Sequence, residues 1–219
     1  MTILLGGGGD AADERPVLER FARLTQGQTI SYWPFALGDV DYRAARKWVE
    51  SALGRSVSTW ERLADYSPQE LEAQAGVFIG GGNTFRLLHE IRGAGMSAAL
   101  RAVAALGVVY GGSAGAIVLG ADIGTASLSD RDEVGMFDLA GLGMVGRYAV
   151  WCHFEDDQLD AVLAWVRANR RPVLALTERS GAEIVGSELS SIGREPLLLV
   201  DDRGDCSEVG DGETGSLLI

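Results

Sequence analysis

Gly107-Val108-Val109-Tyr110-Gly111-Gly112-Ser113-Ala114-Gly115-Ala116-Ile117-Val118-Leu119 decides the reading of this chain. Residues 108–110 have the β-branched and aromatic character of a buried strand, and residues 114–119 can open a helix. Between them lies the G-x-S-x-G spacing of a nucleophile elbow. The chemistry needs that spacing for a steric reason. A nucleophilic serine must project from a tight strand-to-helix turn, whose strained backbone tolerates small neighbours alone. A helix beginning at Ala114 would aim its first amides at a reacting carbonyl and stabilise developing negative charge. Ser113 is thus the candidate nucleophile and Ala114 a candidate oxyanion donor.

Outward from this stretch, short apolar runs alternate with helical spacing. Residues 2–5, 29–33, 56–60, 77–79, 148–152 and 173–176 read as further strands. Residues 12–24, 42–53, 84–91, 97–106 and 157–167 read as helices, with Trp48 and Val49 on the apolar side of the second. This alternation predicts an α/β fold, a mostly parallel sheet sandwiched by helices. The tail differs: residues 196–200, a polar turn at 201–205 and residues 216–219 read as a short antiparallel C-terminal edge. No repeat or linker divides the chain, so residues 1–219 are expected to form a single domain.

Charge and composition bound the function. The 219 residues carry 19 Lys+Arg against 31 Asp+Glu, a formal charge of −12, which argues against a nucleic-acid partner. Residues 102–121 form an uncharged stretch of membrane-spanning length. Five glycines within it, three in the run 111–115, fit a buried strand and sharp turn better than a spanning helix. No membrane partner is expected. The opening residues are uncharged and run straight into Gly6, unlike a signal peptide. With two cysteines, Cys152 and Cys206, the reading is cytoplasmic.

A serine hydroxyl needs a base, and of the two histidines, His89 sits mid-helix among charged neighbours. His153 follows the strand 148–152, at the carboxyl edge where Ser113 also lies, and is the candidate base. Several carboxylates could orient it. Glu178 follows the strand 173–176; Asp130 is the alternative, with Asp132 and Glu133 in the same loop. Glu155, Asp156 and Asp157 adjoin His153, where helix capping explains them. Gly80, Gly81 and Gly82 follow another strand, so Gly81, Gly82 and Asn83 are candidates for oxyanion and substrate binding. Asn83 and Thr84 could instead cap the following helix.

Gly6-Gly7-Gly8-Gly9-Asp10-Ala11 also fits a dinucleotide fingerprint, but Pro16 interrupts the early helix and no acidic residue closes the second strand. No cofactor is expected. No metal is expected either, because a single histidine followed by helix-start carboxylates lacks zinc-ligand spacing. Cys152 points away from the site side of its strand and reads as core.

At these residues the chain resembles the dipeptidase E and cyanophycinase family of serine peptidases, whose fold is similar to class I glutamine amidotransferases. The resemblance is carried by residues 3–9, 33–36, 78–88 (FIGGGNTFRLL), 111–116 (GGSAGA), 153–154 and 176–178. It implies Ser113 as nucleophile and His153 as base. The acid it implies is Glu178 on the cyanophycinase-like pattern, and Asp130 is nearest on the dipeptidase E pattern. Cyanophycinases follow the His-Phe pair with arginines; here Glu155, Asp156 and Asp157 stand instead. An acidic substrate would have to find its cation among Arg131, Arg147, Arg170, Arg171 and Arg179.

The resulting expectation is a cytoplasmic serine peptidase for short peptides through a Ser113-His153-Glu178 or Asp130 triad, with N-terminal Asp-X dipeptides as one substrate class. A homodimer is compatible with it. The alternatives are a cyanophycinase-like peptidase for β-linked aspartyl peptides, an esterase or amidase, and a non-catalytic small-molecule-binding domain of the same fold.

Overall fold

In the computed structural model, which describes residues 1–38 and 40–217, the chain begins β1 (Thr2–Gly6), α1 (Arg15–Leu24), β2 (Ile30–Trp33), α2 (Arg43–Leu53), β3 (Ser58–Thr59). It continues α3 (Pro68–Glu72), β4 (Gly76–Ile79), α4 (Thr84–Gly93), α5 (Ser97–Leu106), β5 (Val108–Gly112), α6 (Ala114–Leu119). The last part is β6 (Ala149–Trp151), α7 (Leu159–Asn169), β7 (Val173–Ala175), β8 (Gly181–Val185), β9 (Glu188–Ser191), β10 (Leu197–Val200), β11 (Cys206–Val209) and β12 (Thr214–Ser216). Short 3-10 turns fill several connections, among them Asp156–Gln158 just ahead of α7.

Eight strands form the main sheet, in the order β12-β9-β8-β1-β5-β4-β2-β3. From β1 to β3 neighbours are parallel; β8, β9 and β12 add an antiparallel flank. Strand alternation divides the sheet's side chains between two faces. Ile3, Leu5, Val77, Ile79 and Val109 pack with α4, α5 and α6 through Leu87, Leu88, Leu100, Val103 and Val118. Leu4, Phe78, Val108 and Tyr110 pack on the other face with Val17, Leu18 and Phe21 of α1 and Val49 and Leu53 of α2. Each such fully buried side chain stabilises the fold by about 1.5–3 kcal/mol, which far exceeds any single surface ion pair.

The second half departs from the one-sheet expectation. β6 and β7 are parallel to each other but belong to a separate four-stranded sheet, β11-β10-β7-β6, covered by Val162 and Val166 of α7. The physical reason lies at β1. Its second edge is occupied by antiparallel β8, with Ile3 opposite Ile184 and Gly6 opposite Gly181, so no further parallel strand can join there. The two sheets meet instead through loop backbone, where His153 N–H after β6 donates to Gly7 O after β1 at 3.0 Å, while Phe154 N–H, donating to Leu176 O at 2.9 Å, continues the pairing of β6 with β7.

Smaller corrections follow the same logic. The antiparallel edge begins at β8 and β9, which carried no clear signal in the sequence, and β10 pairs with β7 of the second sheet. Of the expected strand 216–219, Ser216 ends β12, whereas Leu218 and Ile219 lie outside the described residues. Pro16 does not interrupt α1; it sits in its first turn, where the missing N–H is no loss. Trp48 is 40 % exposed although Val49 beside it is buried. No helix of the described residues is long and apolar enough to cross a membrane; residues 102–121 divide among α5, β5 and α6.

Candidate active site

The carboxyl ends of β1, β4 and β5 lie together, because Gly6 is registered with Gly112 and Ile79 with Gly111. This is where ligands bind in α/β sheets. Ser113 leaves β5 with φ 52° and ψ −116°, and α6 starts at the next residue. His153 holds φ 54° after β6. Among the described non-glycine residues, a third, Arg170 at the end of α7, shares positive φ. Each such conformation costs about 1–3 kcal/mol, so two of three falling on the candidate nucleophile and base marks a built site.

The side chains meet at hydrogen-bonding distance. Ser113 Oγ lies 2.8 Å from His153 Nε2, and His153 Nδ1 lies 2.9 Å from Glu178 Oε1. If Nδ1 carries the ring proton and donates it to Glu178, Nε2 is left as the acceptor of the Ser113 hydroxyl. His153 and Glu178 are both substantially exposed, so this chain of bonds lies at the surface of the cleft. The strand end at residue 176 carries Glu178 to His153 because Phe154 N–H pairs with Leu176 O. Asp130 lines the cavity that Ser113 and His153 also line, but it has a different partner. Its Oδ2 accepts the Thr84 amide at 2.7 Å, at the first turn of α4.

The glycine loop at residues 6–9 walls the histidine. A β-carbon on Gly8 would stand 2.3 Å from His153 Cε1 and 3.0 Å from the Ser113 β-carbon, and Gly8 has φ 103°. The loop that reads as a dinucleotide fingerprint is therefore a packing surface for the site. Gly81 lies on the opposite side; a β-carbon there would come within 3.2 Å of the Ser113 β-carbon. The amides of Gly81, Gly82 and Ala114 donate to no other backbone group among the described residues. Asn83 takes the capping alternative: its Oδ1 accepts Arg86 N–H at 3.0 Å, and its Nδ2 donates to Arg131 O at 2.8 Å.

Behind the site lies a group that the sequence reading missed. Glu14 is 3 % exposed, accepts Gly8 N–H at 2.8 Å, and accepts a hydrogen bond from the Tyr110 hydroxyl. Burial pushes its carboxyl above the ordinary glutamate value, against the lowering effect of those two hydrogen bonds. Burial, then the neighbouring Glu14 charge, pushes the Tyr110 phenol upward as well. A glutamate just ahead of a helix ordinarily reads as a surface cap, so no local signal separates this one. Cys152 is buried, with Sγ 3.5 Å from Ser113 O, and its thiol is pushed upward by desolvation. His89 is exposed on α4.

Three of the remaining carboxylates have structural partners. Glu133 pairs with Arg86 at 2.8 Å, and Asp132 accepts the amides of Val134, Gly135 and Met136. Glu155 forms a capping box with Gln158. Among the five arginines considered for an acidic substrate, Arg147 pairs with Asp202, Arg171 with Asp122, and Arg179 with both Asp13 and Glu195. No group of three or more His, Cys, Asp or Glu side chains among the described residues could hold a metal ion.

An elbow serine bonded to a histidine that is itself bonded to a carboxylate is the arrangement of a serine-type hydrolase. The model of peptidase family S51 matches residues 2–192. The chain belongs to peptidase family S51 and is a serine-type peptidase. No curated protein matches it. Among solved structures, a candidate peptidase E protein from Listeria monocytogenes EGD-e superposes with a TM-score of 0.71 at 21% identity, covering 88% of this chain and 98% of that one. A peptidase from an acI-B1 actinobacterium gives a TM-score of 0.71 at 16% identity, covering 99% of this chain and 96% of that one. These likenesses bear on the fold.

Proposed function

We propose that this chain hydrolyses short peptides, with Ser113 as nucleophile, His153 as general base and Glu178 as the carboxylate that orients it. The observation that carries this reading is the unbroken pair of contacts, 2.8 Å from Ser113 Oγ to Nε2 and 2.9 Å from Nδ1 to Glu178. Ser113 Oγ attacks the scissile carbonyl carbon as its proton passes to Nε2. The carbonyl oxygen takes negative charge within reach of the Ala114 amide and those of Gly81 and Gly82. The tetrahedral species collapses, the C–N bond breaks, and Nε2 returns the proton to the leaving amine. Water, deprotonated by the same nitrogen, then releases the acyl group and restores the serine.

Substrate length and side-chain preference are the finer part of this reading. Asp-X dipeptides are one form of it, and β-linked aspartyl peptides another. Both place a carboxylate near the serine, where a cation is wanted. Glu155 and Asp156 instead line a cavity of about 350 Å3 beside His153, in which Arg179 already faces Asp13 and Glu195. This favours uncharged short peptides over aspartyl ones.

The test is a dipeptide and tripeptide panel with wild type, Ser113→Ala, His153→Ala and His89→Ala. Wild type and His89→Ala are expected to cleave, and the Ser113 and His153 variants to lose at least 1,000-fold. Full peptidase activity in purified Ser113→Ala would refute the reading. Failure of a fluorophosphonate probe to label Ser113 in the wild type would favour a non-catalytic binding domain.

A further inference from the structure

Among the described residues, two of the cavities that touch Ser113 differ in whether they also touch His153. One of about 300 Å3 is lined by both Ser113 and His153; the other, of about 240 Å3, is lined by Ser113, Gly8, Gly81 and Gly112 but not by His153. In the proposed mechanism the base protonates the leaving amine, so the leaving residue must lie on the histidine's side. The second cavity is therefore on the acyl side. Its walls are Tyr32 of β2, Phe78 of β4 and Tyr110 of β5, with Val49 and Ala45 of α2 closing it. Leu37 and Trp48 also line it and are each 40 % exposed, so they stand on its solvent side.

The polar atoms in this cavity are already committed or uncharged. Glu14 at its base accepts from Gly8 N–H and the Tyr110 hydroxyl. Burial raises the Tyr32 phenol to about 12, so it stays neutral. Neither Lys nor Arg lines either cavity at Ser113. A carboxylate brought here would find no cation and would lose its hydration. An apolar group would lose none, and about 240 Å3 exceeds the roughly 150 Å3 that suffices for a benzene ring.

We infer that this cavity is the acyl-side specificity pocket and selects an apolar residue, aromatic or branched aliphatic, in place of aspartate. The inference rests on the proposed peptidase reading, since the acyl side is defined by His153. Trp48 and Ala45 would then be specificity-determining residues, one as a wall on the solvent side and one as a small residue that leaves room. Each methylene gained or lost in such a pocket is worth roughly ten- to two-hundredfold in discrimination.

Calorimetric binding to Ser113→Ala, which cannot turn over the peptide, separates this inference from the catalytic one. The ligands are Phe-Ala, Leu-Ala, Asp-Ala, Arg-Ala and Gly-Ala. Phe-Ala and Leu-Ala are expected to bind at least tenfold tighter than the other three. Adding Ala45→Phe, which fills the pocket from a partly exposed helix position, should erase that preference and leave Gly-Ala within about twofold. Trp48→Ala should weaken Phe-Ala selectively and serves if the first variant fails to fold. Equal or tighter binding of Asp-Ala or Arg-Ala, or no preference among the five, would overturn the inference. Absence of turnover by wild type would instead count against the catalytic reading and leave the binding order to be judged independently.

Discussion

Gly8 presses against His153 so closely that a β-carbon on it would stand 2.3 Å from the imidazole Cε1. A residue with no side chain thus forms one wall of the proposed base. Its φ of 103° adds a second reason for glycine, because L side chains rarely adopt that backbone. Gly8→Ala should therefore displace His153 and lower kcat/KM by roughly 100-fold or more, with slower fluorophosphonate labelling of Ser113. A thermal melt run in parallel should show a much smaller effect than loss of the fold. Unchanged kcat/KM would show that the ring does not need this wall.

Glu178 and Asp130 make opposite predictions. Glu178→Gln leaves a hydrogen bond to Nδ1 available but removes the charge that stabilises the imidazolium. It should lower kcat by roughly 100- to 10,000-fold, the smaller end being expected for so exposed a carboxylate. Asp130→Asn weakens a charged acceptor for the Thr84 amide at the start of α4. It should cost about 0.5–1.5 kcal/mol of stability by urea titration while kcat stays within a few-fold. A collapse of kcat in Asp130→Asn with full activity in Glu178→Gln would reverse the assignment.

Asn83 tests binding against capping. Its side chain holds the Arg86 amide and the Arg131 carbonyl. Asn83→Ala should then cost about 1 kcal/mol through lost capping, seen as a lower melting temperature, and change KM little. A large rise in KM with no loss of stability would make it a substrate contact.

Glu14 supplies a pH signature. Its carboxyl is raised in the folded protein, chiefly by burial. The folded state therefore holds a proton that the unfolded chain releases, and by linkage stability falls as pH rises from the ordinary glutamate range through the raised folded value. Glu14→Gln has no such titration. The stability of wild type relative to Glu14→Gln should be greatest at and below the ordinary glutamate pKa and decline as pH rises above it, measured by urea denaturation across a pH series. A flat difference would mean that the carboxyl is not perturbed.

Much of the candidate site was legible in the chain because it rests on local chemistry. The Gly-Gly-Ser-Ala-Gly run marks an elbow wherever it falls between a strand and a helix, and scarcity of histidine singled out His153. The resemblance carried by residues 78–88 and 111–116 pointed to the family that the model match then showed. Glu178 could not be separated from Asp130, since both follow strands or helices near the right edge. Their separation depends on the Phe154–Leu176 backbone bond, which joins segments more than twenty residues apart. Asn83 fitted a cap as well as a ligand contact for the same reason: its partners lie partly in the distant loop at 130–133.

By itself, then, the amino-acid sequence determined the alternation of strands and helices, the elbow at Ser113 and the choice of histidine. These follow from periodicity, steric demands on small residues and the few side chains able to act as a base. Tertiary structure alone decided that β6 and β7 form a second sheet, that Glu178 meets His153, and that Glu14 is buried beneath Gly8. Each of these depends on which edges and surfaces are already occupied: β8 closes the edge of β1, and the loop after β7 crosses to the histidine. Occupancy is a property of the packed molecule, and no window of neighbouring residues contains it.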